Sequence, residues 1–247
     1  MIGVAKIGTR AIRGGGGAPI PDIEQSGLVW HLDAGNPASY SGSGTTWTDL
    51  KGSYNGTLTN GAAFDSDGGG NIQLDGIDDY VATPITNSLR SITGTRSTLA
   101  FWFKADVVNV RQDVFADYTS VGSDETCRIE INGYGFGASK FGGIINSTGN
   151  NGLVFTPSAI STATWYYAVI LFDGTNAKLY MNNVLEDTTA MSERGSDGTG
   201  GVNIGRAGDY NGLYLDGNIA QVQCYNRALD ATEIESNYNV HKARYGY

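Results

Sequence analysis

The chain has 247 residues and a formal net charge of −9, from 16 Lys and Arg against 25 Asp and Glu. That length can bury a sizeable core within one β domain, and an acidic chain gains nothing from neutralising phosphates, which argues against nucleic acid as a partner. No run of 18 apolar residues occurs, so no membrane-spanning helix and no membrane partner are expected.

Residues 1–26 read as an arm distinct from the rest. Lys6, Arg10 and Arg13 give residues 1–21 a charge of +3, which leaves −12 on the remainder of a chain whose total is −9. The arm has no apolar h-region, so a secretion signal is not expected. The four glycines Gly14 to Gly17 cost too much ordering entropy to lie inside an element. Pro19 and Pro21 hold the next residues extended. Ile2, Val4, Ile7 and Ile12 alternate with the cations, a pattern suited to docking on a partner rather than to folding alone. The arm is therefore expected to anchor the chain through Ile2, Val4, Lys6, Ile7, Arg10, Ile12 and Arg13. The body is expected over residues 27–247.

From Ser26 onward the pattern is strand and turn. The 36 glycines sit in short clusters between apolar runs, and the 14 tyrosines and 4 tryptophans favour strands. Strands are predicted at Gly27 to Asp33, Asn71 to Asp75, Ser97 to Lys104 and Trp165 to Phe172. In the third, Leu99, Phe101 and Phe103 should share one face, with Ala100 and Trp102 on the other. Asp173-Gly174 signals a hairpin into Ala177 to Met181, and Asn182-Asn183 a second turn into Val184-Leu185. Val202 to Ile204 and Gly217 to Tyr225 complete the set. One short helix is predicted over 231–239, opened by a capping box of Asp230 and Glu233 and a staple of Leu229 with Ile234. Ile234 and Tyr238, four apart, should pin it to the sheets. The basic tail after it, His241 included, is expected in solvent, and His31 on a strand face. Cys127 and Cys224 lie in strand-like runs and are expected as buried free thiols. The fold class is thus all-β: a two-sheet antiparallel sandwich with an extended arm and one C-terminal helix.

Several segments, in order, resemble the laminin G-like, concanavalin A-like jelly-roll superfamily. They are Gly27 to Asn36, Trp47 to Leu50 with Asn55 to Leu58, Ile72 to Val81, Thr98 to Phe103, Trp165 to Phe172 with Asp173 to Thr175 and Leu179 to Asn182, and Ile204-Gly205 followed by Gly217 to Val222, Tyr225 to Leu229 and Glu233-Ile234. Leu32 to Tyr40 and Asn237 to Gly246 further resemble such domains in tailed-bacteriophage structural proteins. The resemblance implies a non-enzymatic virion structural protein: a capsid decoration, fibre or tail-associated component on the virion surface. It would be assembled in several copies, as a homo-oligomer or larger array, and held to other virion proteins by its arm, with the jelly roll free to meet cell-surface glycans. A stand-alone carbohydrate-binding module is the alternative, and a glycanase a third. Glycanase relatives resemble one another in a Glu-x-Asp-x-x-Glu string that sets two acids on one strand face. No such string occurs here, and Asp124-Glu125 with Glu130 has other spacing.

Two ligand sites are open from sequence. Asp75, Asp78 and Asp79 crowd three carboxylates into five residues, which suits calcium at a sandwich edge. The same string also makes a turn in which the Asp side chains accept backbone N–H groups and no ion is needed. Relatives often carry Asp-Glu where this chain has Ala220-Gln221, which lowers the expectation for calcium. For glycans, Asp209, Tyr210 and Asn211 combine an aromatic face with polar groups, and Tyr134 and Phe136 in the Gly-rich stretch 133–137 are further aromatic candidates. The competing reading is that these aromatics cap the sandwich edges.

Overall fold

The computed structural model describes residues 22–86, 89–117, 127–133, 135–145, 152–191, 201–207 and 212–247. The arm residues 1–21, including the seven anchoring candidates, lie outside them. So do Asp124, Glu125, Tyr134 and the trio Asp209, Tyr210 and Asn211.

Among the described residues the strands are β1 (Leu28–Asp33), β2 (Thr46–Trp47), β3 (Gly56–Thr59), β4 (Ala63–Asp65), β5 (Asn71–Asp75), β6 (Tyr80–Ala82), β7 (Ser97–Ala105), β8 (Gln112–Ala116), β9 (Cys127–Ile131), β10 (Phe141–Ile145), β11 (Gly152–Phe155), β12 (Trp165–Phe172), β13 (Asn176–Met181), β14 (Val184–Ala190), β15 (Asn203–Ile204) and β16 (Asp216–Tyr225). A single turn of helix, α1 (Arg90–Thr93), precedes β7, and α2 (Ala231–His241) follows β16. The back sheet runs β14-β13-β12-β7-β16-β5-β4, with β1 also on β16. The front sheet runs β11-β10-β9-β8-β15-β6-β3-β2. The paired strands are antiparallel throughout, for example Trp165 opposite Lys104 and Phe172 opposite Ser97.

The core lies between the sheets. Leu99, Phe101 and Phe103 of β7 enter it as the alternation predicts, with Ile170, Phe172, Phe141 and Val222. Cys127 and Cys224 belong to it too, both buried and not joined by a disulfide. Ala100 and Trp102 point the other way, into a second cluster on the outer face of the back sheet with Tyr167, Val169, Tyr225 and Ile234. Helix α2 covers that face. Two-sided burial explains why Trp165 to Phe172 is almost wholly apolar rather than alternating. Burying each large side chain contributes about 1.5–3 kcal/mol. The helix begins as its sequence predicts: the Asp230 side chain accepts the Glu233 N–H and the Glu233 side chain accepts the Asp230 N–H, both at 2.9 Å. Asn182 and Asn183 both adopt positive φ, 50° and 69°, in the tight turn from β13 to β14.

The C-terminal tail corrects the sequence expectation. His241 is buried, Lys242–Tyr245 form a 3-10 turn, and Tyr245 stacks on Trp102 with ring centroids 4.2 Å apart. The reason is periodicity. Ile234, Tyr238, His241 and Tyr245 follow helical spacing and carry the buried face past the end of α2. Arg244 then reaches Asp33 at the end of β1, with three nitrogen–oxygen distances of 3.2 Å. At the other end, Asp22 to Ser26 also pack on the body. Ile23 is buried in the outer cluster, and the Glu24 N–H donates to Asn237 Oδ1 at 2.7 Å.

Candidate functional site

The three acids read from sequence do come together at the β5–β6 turn, one oxygen of each lying within 4.8 Å of the others. Their first duty is to the backbone. Asp75 Oδ1 accepts N–H groups from Ile77, Asp78 and Asp79 at 2.9, 3.3 and 3.4 Å. Asp79 accepts from Gly61 at 2.5 Å and from Asp75 at 3.2 Å. The Ile77 N–H leads the donors that hold the Asp75 carboxyl below its ordinary value, whereas burial, helped by Asp75 and Asp78, pushes Asp79 up. Strand register adds two acids that sequence reading missed. Asp216 is opposite Asp75, and the Asp106 N–H donates to the Asp216 carbonyl at 2.9 Å. Burial and then Asp106 and Asp75 raise Asp216. The arrangement is a closed acidic turn. Calcium takes six to eight oxygens, and here Asp75 Oδ1 and both Asp79 oxygens already serve amides. Ala220-Gln221 is remote from this edge: Gln221 pairs with Asp33, five residues along β16 from Asp216, and is fully buried. The departure from the family's Asp-Glu therefore takes no ligand from the turn.

A second acid pair comes from register alone. Asp113 on β8 faces Glu130 on β9, on the outer side of the front sheet. Both are fully buried. Arg128 Nε lies 3.2 Å from Asp113 Oδ2 and 3.1 Å from Glu130 Oε1. The Arg111 Nε donates to the same Glu130 oxygen at 2.6 Å. Burial pushes the Asp113 carboxyl well up, against the opposing pull of Arg128. Glu130 Oε2 is buried without a hydrogen-bond partner. A glycoside-cleaving pair must reach both sides of a glycosidic bond. These two carboxylates are spent on arginines and closed from solvent. Phe136 is also buried, stacked on Phe155 at 5.8 Å, so it packs the sandwich rather than presenting a ring to a glycan.

The outer face of β7, β12 and β16 in the back sheet is covered as well. Under α2 a buried polar row runs from Asp33 through Gln221 to Gln223, and Asn237 donates to the Tyr225 hydroxyl oxygen at 2.9 Å.

The family model described as the concanavalin A-like lectin/glucanases superfamily matches residues 75–235. No curated protein matches the chain. Among solved structures, domain 4 of AbnA, an extracellular GH43 arabinanase of Geobacillus stearothermophilus in complex with arabinotriose, superposes with a TM-score of 0.67 at 15% identity, covering 88% of this chain and 100% of that one. Trypanosoma rangeli sialidase in complex with 2,3-difluorosialic acid gives 0.67 at 16% identity, covering 99% of this chain but 36% of the sialidase. The receptor-binding domain of botulinum neurotoxin type G gives 0.63 at 14%, covering 87% of this chain and 51% of the toxin domain. The chain thus spans about a third of the sialidase and half of the toxin domain, and at these identities the likeness is one of fold. With a family match across well over half its length and the two-sheet jelly roll in place, the chain belongs to the concanavalin A-like lectin/glucanases superfamily.

Proposed function

We propose that this protein is a non-catalytic carbohydrate-binding jelly-roll domain. The observation that carries the reading is the state of its acids. The one register-paired set of carboxylates on the front sheet among the described residues, Asp113 and Glu130, is fully buried and bound by Arg128 and Arg111. The Asp75–Asp79 cluster is engaged by its own turn. The fold shared with domain 4 of the arabinanase, a complex with arabinotriose, supports sugar contact as the role left to the domain. The test pairs binding with hydrolysis. Immobilised oligosaccharides should retain the protein, while reducing-sugar release stays at the level of a no-protein control. Sustained release that Glu130→Gln abolishes would overturn the non-catalytic reading.

The finer role is display on a bacteriophage particle, as a decoration, fibre or tail-associated subunit on the virion surface. It rests on the resemblance of residues 32–40 and 237–246. Those two segments meet in the structure, where Arg244 binds Asp33, so their joint occurrence has a folding cause of its own. The particle reading therefore leans on the arm and its anchoring residues.

A further inference from the structure

We infer that the groove between the loop after β1 and the turn joining β4 to β5 is a subsite for a neutral oligosaccharide, an inference that rests on the carbohydrate-binding reading above. The cavity measures about 310 Å³ and is lined by ten residues drawn from the segments 34–42 and 64–70. That lies at the lower end of volumes that hold small ligands. Two aromatic rings line it: Tyr40 and half-buried Phe64 stack with centroids 5.3 Å apart and planes 25° from parallel. The Tyr40 hydroxyl donates to the Gly44 carbonyl at 2.6 Å, which fixes both the ring and the loop beside it. Tyr40 itself is buried and backs Phe64, so the half-buried Phe64 ring is the apolar surface the groove presents, held in place at little entropic cost on binding.

Four of the ten lining residues are glycines, and their positions have a cause. A Cβ on Gly70 would lie 2.7 Å from the Gly35 Cα, and one on Gly35 would lie 1.9 Å from Arg244 Nη2. Glycine lets the two walls touch. Arg244 then ties them together, donating to the Gly69 carbonyl at 3.1 Å while it holds Asp33. A Cβ on Gly42 would meet nothing within 4 Å, so the mouth stands open. The groove is thus built before any ligand arrives, partly by the C-terminal tail.

Charge selects the occupant. No lining residue is charged. Ser41 and Ser66 are exposed on its two sides, and Ser66 is flanked by Asp65 and Asp67, the latter with 71% of its side chain exposed. Asp65 Oδ1 accepts the Asp67 N–H at 2.9 Å and Asp67 lies 3.9 Å from Lys104 Nζ, so the hydroxyls of Ser41 and Ser66 are the polar groups of the lining itself that a sugar would meet. The cations near the rim among the described residues, Lys104 and Arg244, are each paired with an acid (Asp67 and Asp33), so a carboxylated or sulfated sugar finds no unpaired cation there to offset a protein of net charge −9.

The experiment uses the full chain, 15N-labelled, titrated with arabinotriose, cellotriose and galactotriose as neutral probes and 3′-sialyllactose as the anionic one. At least one neutral trisaccharide should shift amides concentrated in residues 34–42 and 64–70, with 3′-sialyllactose leaving them in place. Ser66→Trp, at an exposed position, should weaken that binding at least tenfold without moving the melting midpoint, and Phe64→Ala should act in the same direction. Binding that survives Ser66→Trp, or shifts that cluster elsewhere, would overturn the groove while leaving a carbohydrate-binding domain. Tighter binding of 3′-sialyllactose would overturn the choice of a neutral ligand. Binding of none of the four would overturn the groove and the carbohydrate-binding reading together.

Discussion

At the scale of single residues, the chemistry of this protein concentrates on Asp33. Its carboxylate receives Arg244, the Gln221 amide at 3.1 Å and the Gly35 N–H at 2.9 Å, and His241 Nε2 lies 3.8 Å away. Burial lowers the His241 imidazole to about 4; Asp33 opposes that shift, while Arg244 and His31 add to it. The sign of the linkage follows. The unfolded chain takes up this proton near pH 6.5 and the folded one only near pH 4. Stability is therefore complete above about 6.5, declines as pH falls between the two values and levels below them. His31, also lowered by burial, pulls in the same direction. The loss should be on the order of 2–3 kcal/mol by pH 4. Urea midpoints measured from pH 7.5 to 4 should fall, and His241→Gln should flatten the profile. Parallel profiles for the two proteins would show that this histidine is not the cause.

At the scale of elements, α2 shows how far local signals reach. Its start is written in four residues, Asp230 to Glu233, and the structure contains both capping hydrogen bonds. Arg227 adds a bidentate pair to Glu233 at 2.7 Å, a tertiary contribution to a local motif. Asp230→Ala removes one capping acceptor and should cost about 1 kcal/mol. Chemical denaturation would register it as a lower midpoint with unchanged slope. No change in midpoint would mean that Arg227 and Glu233 hold the helix start without the cap. The end of α2 was harder to read, because basic residues there look solvated. Only with Trp102 in place does Tyr245 have a partner. The acid sites follow the same division. Asp75, Asp78 and Asp79 are neighbours in sequence and were legible as a cluster, whereas Asp113 and Glu130, or Asp75 and Asp216, meet only through strand register.

At the scale of the whole molecule, the body is one sandwich whose packing reaches back to Ile23. The 21 residues before Asp22 carry +3 and the rest −12. If the arm serves an external partner, deleting residues 1–21 should leave the melting temperature within a degree or two of the full chain. It should also abolish incorporation where particles assemble. A folded truncation that still incorporates normally would remove the anchoring role, and a truncation that fails to fold would make the arm part of the core.

By itself the sequence determined the all-β class, the main strands with their inward and outward faces, the helix start and the acidic turn. Each of these is set by neighbours a few residues apart: period-two alternation, Asn and Gly at positive φ, a four-residue cap. The tertiary structure decided everything that depends on which strands lie side by side. It buried Asp113 and Glu130 against arginines, laid the tail on Trp102, and closed Asp33 and Arg244 across 211 residues. It also brought Tyr40, in the loop after β1, against Phe64 of β4 to form one side of a groove. Such meetings are fixed by register and by long-range packing, and no local spacing in a β chain encodes them.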